Sequence, residues 1–326
     1  MRKGIPQEIL VAPDSFKGTL SAAEVAHALG EGLLAGGRPV SLCPVADGGE
    51  GTLEVLRAPL GLELVEAEVS DPLGRPVRAA FGLGGGVAVV EMARASGLGL
   101  VARADRDPVA ASSAGTGELI RAAAAAGARR ILVAAGGSAT TDGGQGAIQA
   151  IGRLPGGVSL TVLCDVTTPY ERAATVFGPQ KGAGPVAVTQ LTERLHALAA
   201  QLPRDPRGVA MTGAAGGLAG GLWAACGAEL RAGAPHVLEL LGFDRRMRAA
   251  RAVVVGEGRL DRQTLAGKIA GEIATRARQA GVPAHAVVGE NALDRFDQRI
   301  LDLQVILEAG SPAALVTAGR ELAARI

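Results

Sequence analysis

Apolar positions along the chain fall in short runs that alternate with longer amphipathic stretches. Residues 8–13, EILVAP, predict a first strand, and Val40 to Val45 predict a second. Between them, Ser21 and Glu24 have the spacing of a capping box, heading a helix that runs to about Gly36. This is a βαβ unit. From about Glu63 to Val90 the rhythm changes. Leu64, Val69, Val77, Phe81 and Val87–Val90 lie in short segments cut by Asp71-Pro72, Gly74 and Gly84-Gly85-Gly86. Short strands with tight turns follow from that pattern, and they mark the start of a second domain. Thr116 and Gly117 lead into a helix at 118–126 that Gly127 stops. Ile131–Ala135 and 158–164, VSLTVLC, read as buried strands. Leu191, Leu195, Leu198 and Leu202 mark one face of a helix ending at Pro203, and Gly213 to Gly221 form a glycine-rich lead-in to another. At Arg251 the strand–helix alternation returns. It comprises strand Ala252–Val255, a helix to about Ala280, strand 284–288, a helix near 291–303, strand Val305–Leu307 and a last helix capped by Ser311-Pro312.

The pattern predicts an α/β protein with two α/β domains. One is a Rossmann-like parallel-sheet domain built from both chain ends, about 1–60 and 245–326. The other is an α/β domain inserted over 61–244, with a cleft between the two. A chain of 326 residues is long enough for that division.

Composition narrows the function. Net charge is +1, from 33 basic and 32 acidic residues, and aromatics are only 2%. Neither a basic footprint nor stacking platforms for nucleic acid are present. No apolar, charge-free span is long enough to cross a membrane, and no apolar signal core follows MRKGIPQE. A soluble, cytoplasmic protein is expected. Cys43, Cys164 and Cys226 are widely spaced in apolar surroundings and read as reduced core residues. His27, His196, His236 and His285 show no metal-ligand spacing. The sole tryptophan, Trp223, reads as a packing residue.

The candidate chemistry sits where strands end. The first strand runs into Asp14-Ser15-Phe16-Lys17-Gly18, and the second into Asp47-Gly48-Gly49-Glu50-Gly51. In open parallel sheets, ligands bind outside the carboxyl ends of the strands. After Ile131–Ala135 comes GGSATTDGGQG, residues 136–146. Glycines there would let backbone N–H groups approach an anion, and a following helix would add its positive end. The competing reading is a plain glycine-rich turn. It is not a Walker A loop, because no Lys-Ser or Lys-Thr follows. Asp165 ends another strand, and Lys181 lies in the glycine turn 177–183. Gly256 and Gly258 begin like a dinucleotide fingerprint, but Asp261 stands where the third glycine belongs. An acid there repels pyrophosphate unless magnesium bridges the two.

Nine segments, in order, resemble the type I glycerate kinase family, glycerate 2-kinases included. They are APDSFKGTLSA (12–22), PVADGGEGT (44–52), EMARASGL (91–98), GTGELI (115–120), GGSATTDGG (136–144), CDVTTP (164–169), FGPQKGA (177–183), GAAGGL (213–218) and GEGRLDRQTLAGK (256–268). Two departures stand out. The stretch 151–162 is short, and Thr168-Pro169-Tyr170 replaces the common Asn-Pro-Leu. The resemblance implies a cytoplasmic enzyme that moves phosphate from ATP to glycerate with magnesium, 2-phosphoglycerate being favoured over 3-phosphoglycerate. Phosphoryl transfer needs a proton acceptor and charge neutralisation, and the candidates for catalysis are Asp47, Lys268 and Arg259. Glycerate falls to Asp14, Ser15, Lys17, Gly48, Gly49 and Glu50. Nucleotide falls to Gly136, Gly137, Ser138, Thr140, Asp142 and Lys181. Magnesium falls to Asp165, Glu257 and Asp261. Glycerate and ATP are the expected partners, without nucleic acid or membrane. A homo-oligomer is left open. Two other readings also stay open, a kinase for another small hydroxy acid and a non-catalytic sensor of hydroxy acid and nucleotide.

Overall fold

The computed structural model describes residues 8–265 and 267–326. Their strands are β1 (Ile9–Pro13), β2 (Val40–Leu42), β3 (Glu63–Ser70), β4 (Pro76–Gly84), β5 (Val87–Glu91), β6 (Arg130–Ala134), β7 (Ser159–Cys164), β8 (Glu229–Ala232), β9 (Ala252–Leu260), β10 (Ala284–Asn291) and β11 (Leu303–Glu308). The chain is α/β and divides into two compact units. The first runs up to Asp47 and resumes at Ala234–Ile326, and the second is Gly48–Gly233.

The first unit holds a five-stranded sheet in the order β11-β10-β9-β1-β2, parallel throughout. Its central strands are apolar at successive positions because both faces are covered. Leu10, Ala12, Val253 and Val255 feed one core, which helix Ile269–Ala280 covers through Ile273 and Ala277. Ile9, Val11, Ala252 and Val254 feed the opposite core, closed by helices Ala22–Ala35 and Pro312–Arg325. These two helices cross so closely that a Cβ on Gly32 would stand 2.1 Å from the Val316 carbonyl oxygen. The capping box at Ser21 and Glu24 forms as expected.

The second unit holds a six-stranded sheet in the order β3-β4-β5-β6-β7-β8. The β3–β4–β5 segment is antiparallel, and β5 to β8 run parallel. Among the described residues no helix is long and apolar enough to cross a membrane.

Several elements differ from the sequence reading, and three show why. Strand β9 does not stop at Val255; it stays paired through Leu260, opposite Asn291. The glycines of GEGRL mimic a turn but keep the strand extended, and Gly289 lets β10 approach Gly258. The second strand is regular only for Val40–Leu42, yet Cys43 and Val45 still donate to the Val11 and Pro13 carbonyls. The helix expected at 118–126 spans Ala114–Ala125. Its Gly115 and Gly117 look like helix breakers, but they are packing residues. A Cβ on either would collide with the carbonyl oxygen of Ser70 or Ala147.

Candidate active site

The candidate side chains gather in two clusters, one within each unit. In the first unit, β1 and β9 are the neighbours between which the sheet's winding reverses. Counted within that unit the strand order is 2-1-3-4-5, and ligands of such sheets bind at this switch. Asp14 follows β1, Asp47 follows the extension of β2, and Glu257 stands on β9, all three buried. Burial pushes the Asp14 carboxyl up to about 7, and the Asp47 and Glu257 charges push the same way. The Ser15 N–H, 2.6 Å from Asp14 Oδ1, and the Lys17 charge oppose it. Glu257 is likewise raised to about 7 by burial, against the Thr264 hydroxyl, which donates to its Oε1 at 2.8 Å, and the Lys268 charge.

Cations border this carboxylate group. Lys268 Nζ lies 4.0 Å from Glu257 Oε2 and 3.6 Å from Asp261 Oδ1. Lys17 Nζ lies 4.0 Å from Asp47 Oδ2, with its side chain 70% exposed. Arg259 pairs instead with exposed Glu290 on β10, at 3.5 Å. The structure thus joins Asp14, Ser15, Lys17, Asp47, Glu257, Asp261 and Lys268, and turns Arg259 toward the β10 side. Thr264 lies within the 256–268 motif, and its role in orienting Glu257 is not legible there.

The second cluster surrounds the glycine loop after β6. Gly136 and Gly137 pack against the loop after Asp47. A Cβ on Gly136 would stand 2.5 Å from Gly49 Cα, and one on Gly137 would stand 2.3 Å from Glu50 Oε1. Gly48, Gly49 and Glu50 therefore share a unit with the loop expected to hold nucleotide, while Asp47 belongs to the other unit. Ser138 is anchored by an isolated antiparallel bridge to Gly97. In the same EMARASGL motif, Glu91 accepts from the Leu53 N–H at 2.8 Å, at the head of helix Thr52–Arg57. This motif supports both glycine loops from beneath.

The helix that follows the loop, Gln145–Ile151, does not offer its N-terminus to a ligand. Asp142 already sits there as a built-in anion. Its Oδ2 accepts from the Ser113 N–H at 2.8 Å, the Ser113 hydroxyl at 2.8 Å and the Gly146 N–H at 3.1 Å, and its Oδ1 accepts from the Gly144 N–H at 3.1 Å. The Ala147 N–H is taken by Ser113 Oγ. The expectation that this helix end cradles phosphate is therefore corrected, and Asp142 fastens the heads of two helices. By contrast, the Thr140 and Thr141 hydroxyls are fully buried without a hydrogen-bond partner among the described residues, so both keep their hydrogen-bonding capacity unused.

Lys181 is turned inward. It is 2% exposed, and its Nζ lies 2.8 Å from Ser138 Oγ and 2.6 Å from the Thr140 carbonyl oxygen. Burial lowers its pKa to about 7, against the attraction of Asp142 and Asp165. Asp165, at the end of β7, is itself exposed. Tyr170, the departure in the 168–170 motif, lies fully buried beneath the loop. Its hydroxyl donates to the Gly143 carbonyl at 3.1 Å, and the ring fills space where side chains on Gly143, Gly217 or Gly220 would stand. The second glycine loop completes this floor, with Gly216 accepting from the Gly143 N–H at 3.1 Å. Trp223 packs under the Arg204 guanidinium, 4.5 Å from its ring centre.

Comparison with known proteins agrees along the chain. The model of the glycerate kinase family matches residues 9–155 and 153–311. The glycerate kinase of Bacillus subtilis (strain 168) is 40% identical, over 88% of this chain and 86% of its own length. The glycerate 2-kinase of Escherichia coli (strain K12) is 38% identical, over 86% of this chain and 85% of its own. The crystal structure of a Salmonella typhimurium LT2 protein, provisionally named glycerate kinase 2, superposes with a TM-score of 0.83. That protein is 35% identical, and the match covers 98% of each chain.

Proposed function

Because this chain belongs to the glycerate kinase family, we propose that it transfers the γ-phosphoryl group of ATP to a hydroxyl of D-glycerate, favouring 2-phosphoglycerate. The observation that carries the residue assignment is the buried Asp14–Asp47–Glu257 group at the switch between β1 and β9. A kinase of this kind needs an oriented hydroxyl and a proton acceptor for it. Asp47 is the acceptor in this reading, with Lys17 beside it to meet the substrate carboxylate. Asp14 feels both charges, raised by Asp47 and lowered by Lys17.

The Gly136–Ser138 loop, with the Thr140 and Thr141 hydroxyls, takes the nucleotide phosphates. Lys268 neutralises charge on the acceptor side. Arg259, turned to Glu290, contributes to binding only if that exposed pair opens.

Among the described residues no group of three or more histidines, cysteines and carboxylates is arranged to hold a metal. Magnesium in kinases needs only one or two carboxylates together with the phosphates. Glu257, raised by burial and further by the nearby Asp261 and Asp47 charges, would gain a counter-charge from such an ion, with Asp261 as a second ligand. When bound, the ion would neutralise phosphate charge. Asp165 is the candidate ligand in the other unit.

A coupled assay for ADP, with magnesium, ATP and D-glycerate, tests the reading. Folded protein that forms no ADP with glycerate or with any of a panel of small hydroxy acids would overturn it.

A further inference from the structure

The Ser138–Lys181 contact has the build of a nucleophile and its base. Lys181 is buried, and its hydrogen bonds run to two neutral oxygens, Ser138 Oγ and Thr140 O, not to a carboxylate. A lysine in such a place favours its uncharged form, because desolvation penalises the cation. The neutral amine has hydrogens to donate and one lone pair to accept with. Nζ donates to both oxygens; once it gives up a proton, its lone pair lies 2.8 Å from the Ser138 oxygen and can take that hydroxyl's proton.

Several features hold this pair in place. The Ser138 backbone bridges to Gly97, the Ala139 N–H donates to the Ser96 carbonyl, and the Leu98 N–H donates to the Gly137 carbonyl. Ser138 itself is only half-buried. The unpartnered Thr140 and Thr141 hydroxyls lie next along the chain. Asp142 and Asp165 are the charges acting on Lys181, and both would stabilise the ammonium once it forms. A serine within hydrogen-bond reach of a base that a third group orients is the general signature of an activated nucleophile.

We propose that Ser138 accepts the γ-phosphoryl group of ATP and passes it to the acceptor, with Lys181 as the base. In the first step the Ser138 Oγ–phosphorus bond forms and the bond from phosphorus to the β–γ bridging oxygen breaks. ADP leaves with that electron pair, and the serine proton moves to Lys181 Nζ. In the second step the acceptor hydroxyl oxygen bonds phosphorus and the Oγ–phosphorus bond breaks. The acceptor proton goes to the base that the kinase reading assigns it and from there to water, and Ser138 Oγ takes back the proton held on Lys181 Nζ. This rests on the kinase reading above and adds a covalent stage to it.

The test incubates the whole chain with γ-labelled ATP and magnesium, without glycerate, and quenches in acid, where a phosphoserine survives. The expected result is label on the peptide carrying Ser138, and its discharge to phosphoglycerate at least as fast as kcat when D-glycerate is added. Ser138→Ala should lose the label and lower kcat by at least about a thousandfold. Lys181→Met, close in volume, should slow labelling by about a hundred- to ten-thousandfold, with ATP still bound. A chain that makes ADP with glycerate but takes no label, or holds a label that glycerate does not discharge, overturns the covalent stage and leaves the kinase reading standing. A chain that makes no ADP with any hydroxy acid overturns the kinase reading itself. A lysine that serves only as a strut would lower the melting temperature in Lys181→Met and leave no label to slow.

Discussion

Replacing Asp142 by asparagine should damage the fold of the second unit before it damages chemistry. The carboxylate accepts four hydrogen bonds, three on Oδ2 and one on Oδ1. An asparagine amide keeps the shape but offers one acceptor oxygen. Its best placement leaves the carbonyl facing Ser113 and Gly146, and turns the NH2 toward the Gly144 N–H. One buried donor then meets another donor, which costs about 1–3 kcal/mol. The three remaining bonds drop from charged to neutral strength, a loss of roughly 1 kcal/mol each. Bonds sharing one group do not add in full, so a total of about 2–5 kcal/mol follows. The anion that complements the head of helix Gln145–Ile151 is lost as well. For a unit of this size each kcal/mol shifts the midpoint by about 2–4 °C, giving a fall of roughly 4–20 °C. Differential scanning calorimetry reads this directly. Hydrogen exchange should rise at the amides of Ser113, Gly144, Gly146 and Ala147. A variant that melts within about 1 °C of the parent and has lost nucleotide binding would refute the reasoning, because Asp142 would then face the ligand.

Further expectations are more local. Asp47→Asn should lower kcat by at least about a hundredfold with little change in melting temperature or glycerate affinity; a kcat within a few-fold of the parent would remove Asp47 as the proton acceptor. Asp14 holds its proton up to about 7 when folded and loses it in the usual carboxylate range when unfolded. The folded state therefore binds more protons, and stability falls as pH rises from about 4 to 7. Asp14→Asn removes that slope, so its melting temperature should gain on the parent across this window and then run level; parallel curves would show that Asp14 ionises normally. Gly137→Val should weaken nucleotide binding, read by titration, far more than glycerate binding. Gly137 is at φ +74°, and its Cβ direction points into Glu50. The opposite ranking would give the loop to the acceptor.

The sequence showed the rhythm of the fold and the location of its loops, but not what each loop residue does. Strand β1, the capping box at Ser21 and strands β6 and β7 were legible because each is a local pattern. Glycine misled in two places. In GEGRL it hid the last residues of β9, and in GTGELI it hid the first turn of a helix. In both cases the reason for glycine is a neighbour distant in sequence, Pro13 against Gly256 or Ser70 against Gly115. The candidate loops were found, yet Asp142 and Lys181 look alike in sequence to ligand-facing residues. Only the Ser113 and Gly144 donors, and the oxygens around Nζ, show that both side chains turn inward. Tyr170 stood out as a departure without any sign that it would carry the floor of the glycine loop.

The path of the chain also sets an order in time. Strand β1 leaves the ribosome before its neighbour β9, and the whole of Gly48–Gly233 is made between them. That intervening stretch begins and ends at one place, since a Cβ on Gly48 would stand 2.9 Å from Gly233 Cα. It can close on itself during synthesis at little entropic cost to the rest. The sheet of the first unit cannot. Until Ala252–Leu260 has emerged, β1 has an open edge of apolar residues, and the nascent chain is then most exposed to aggregation and most in need of a chaperone.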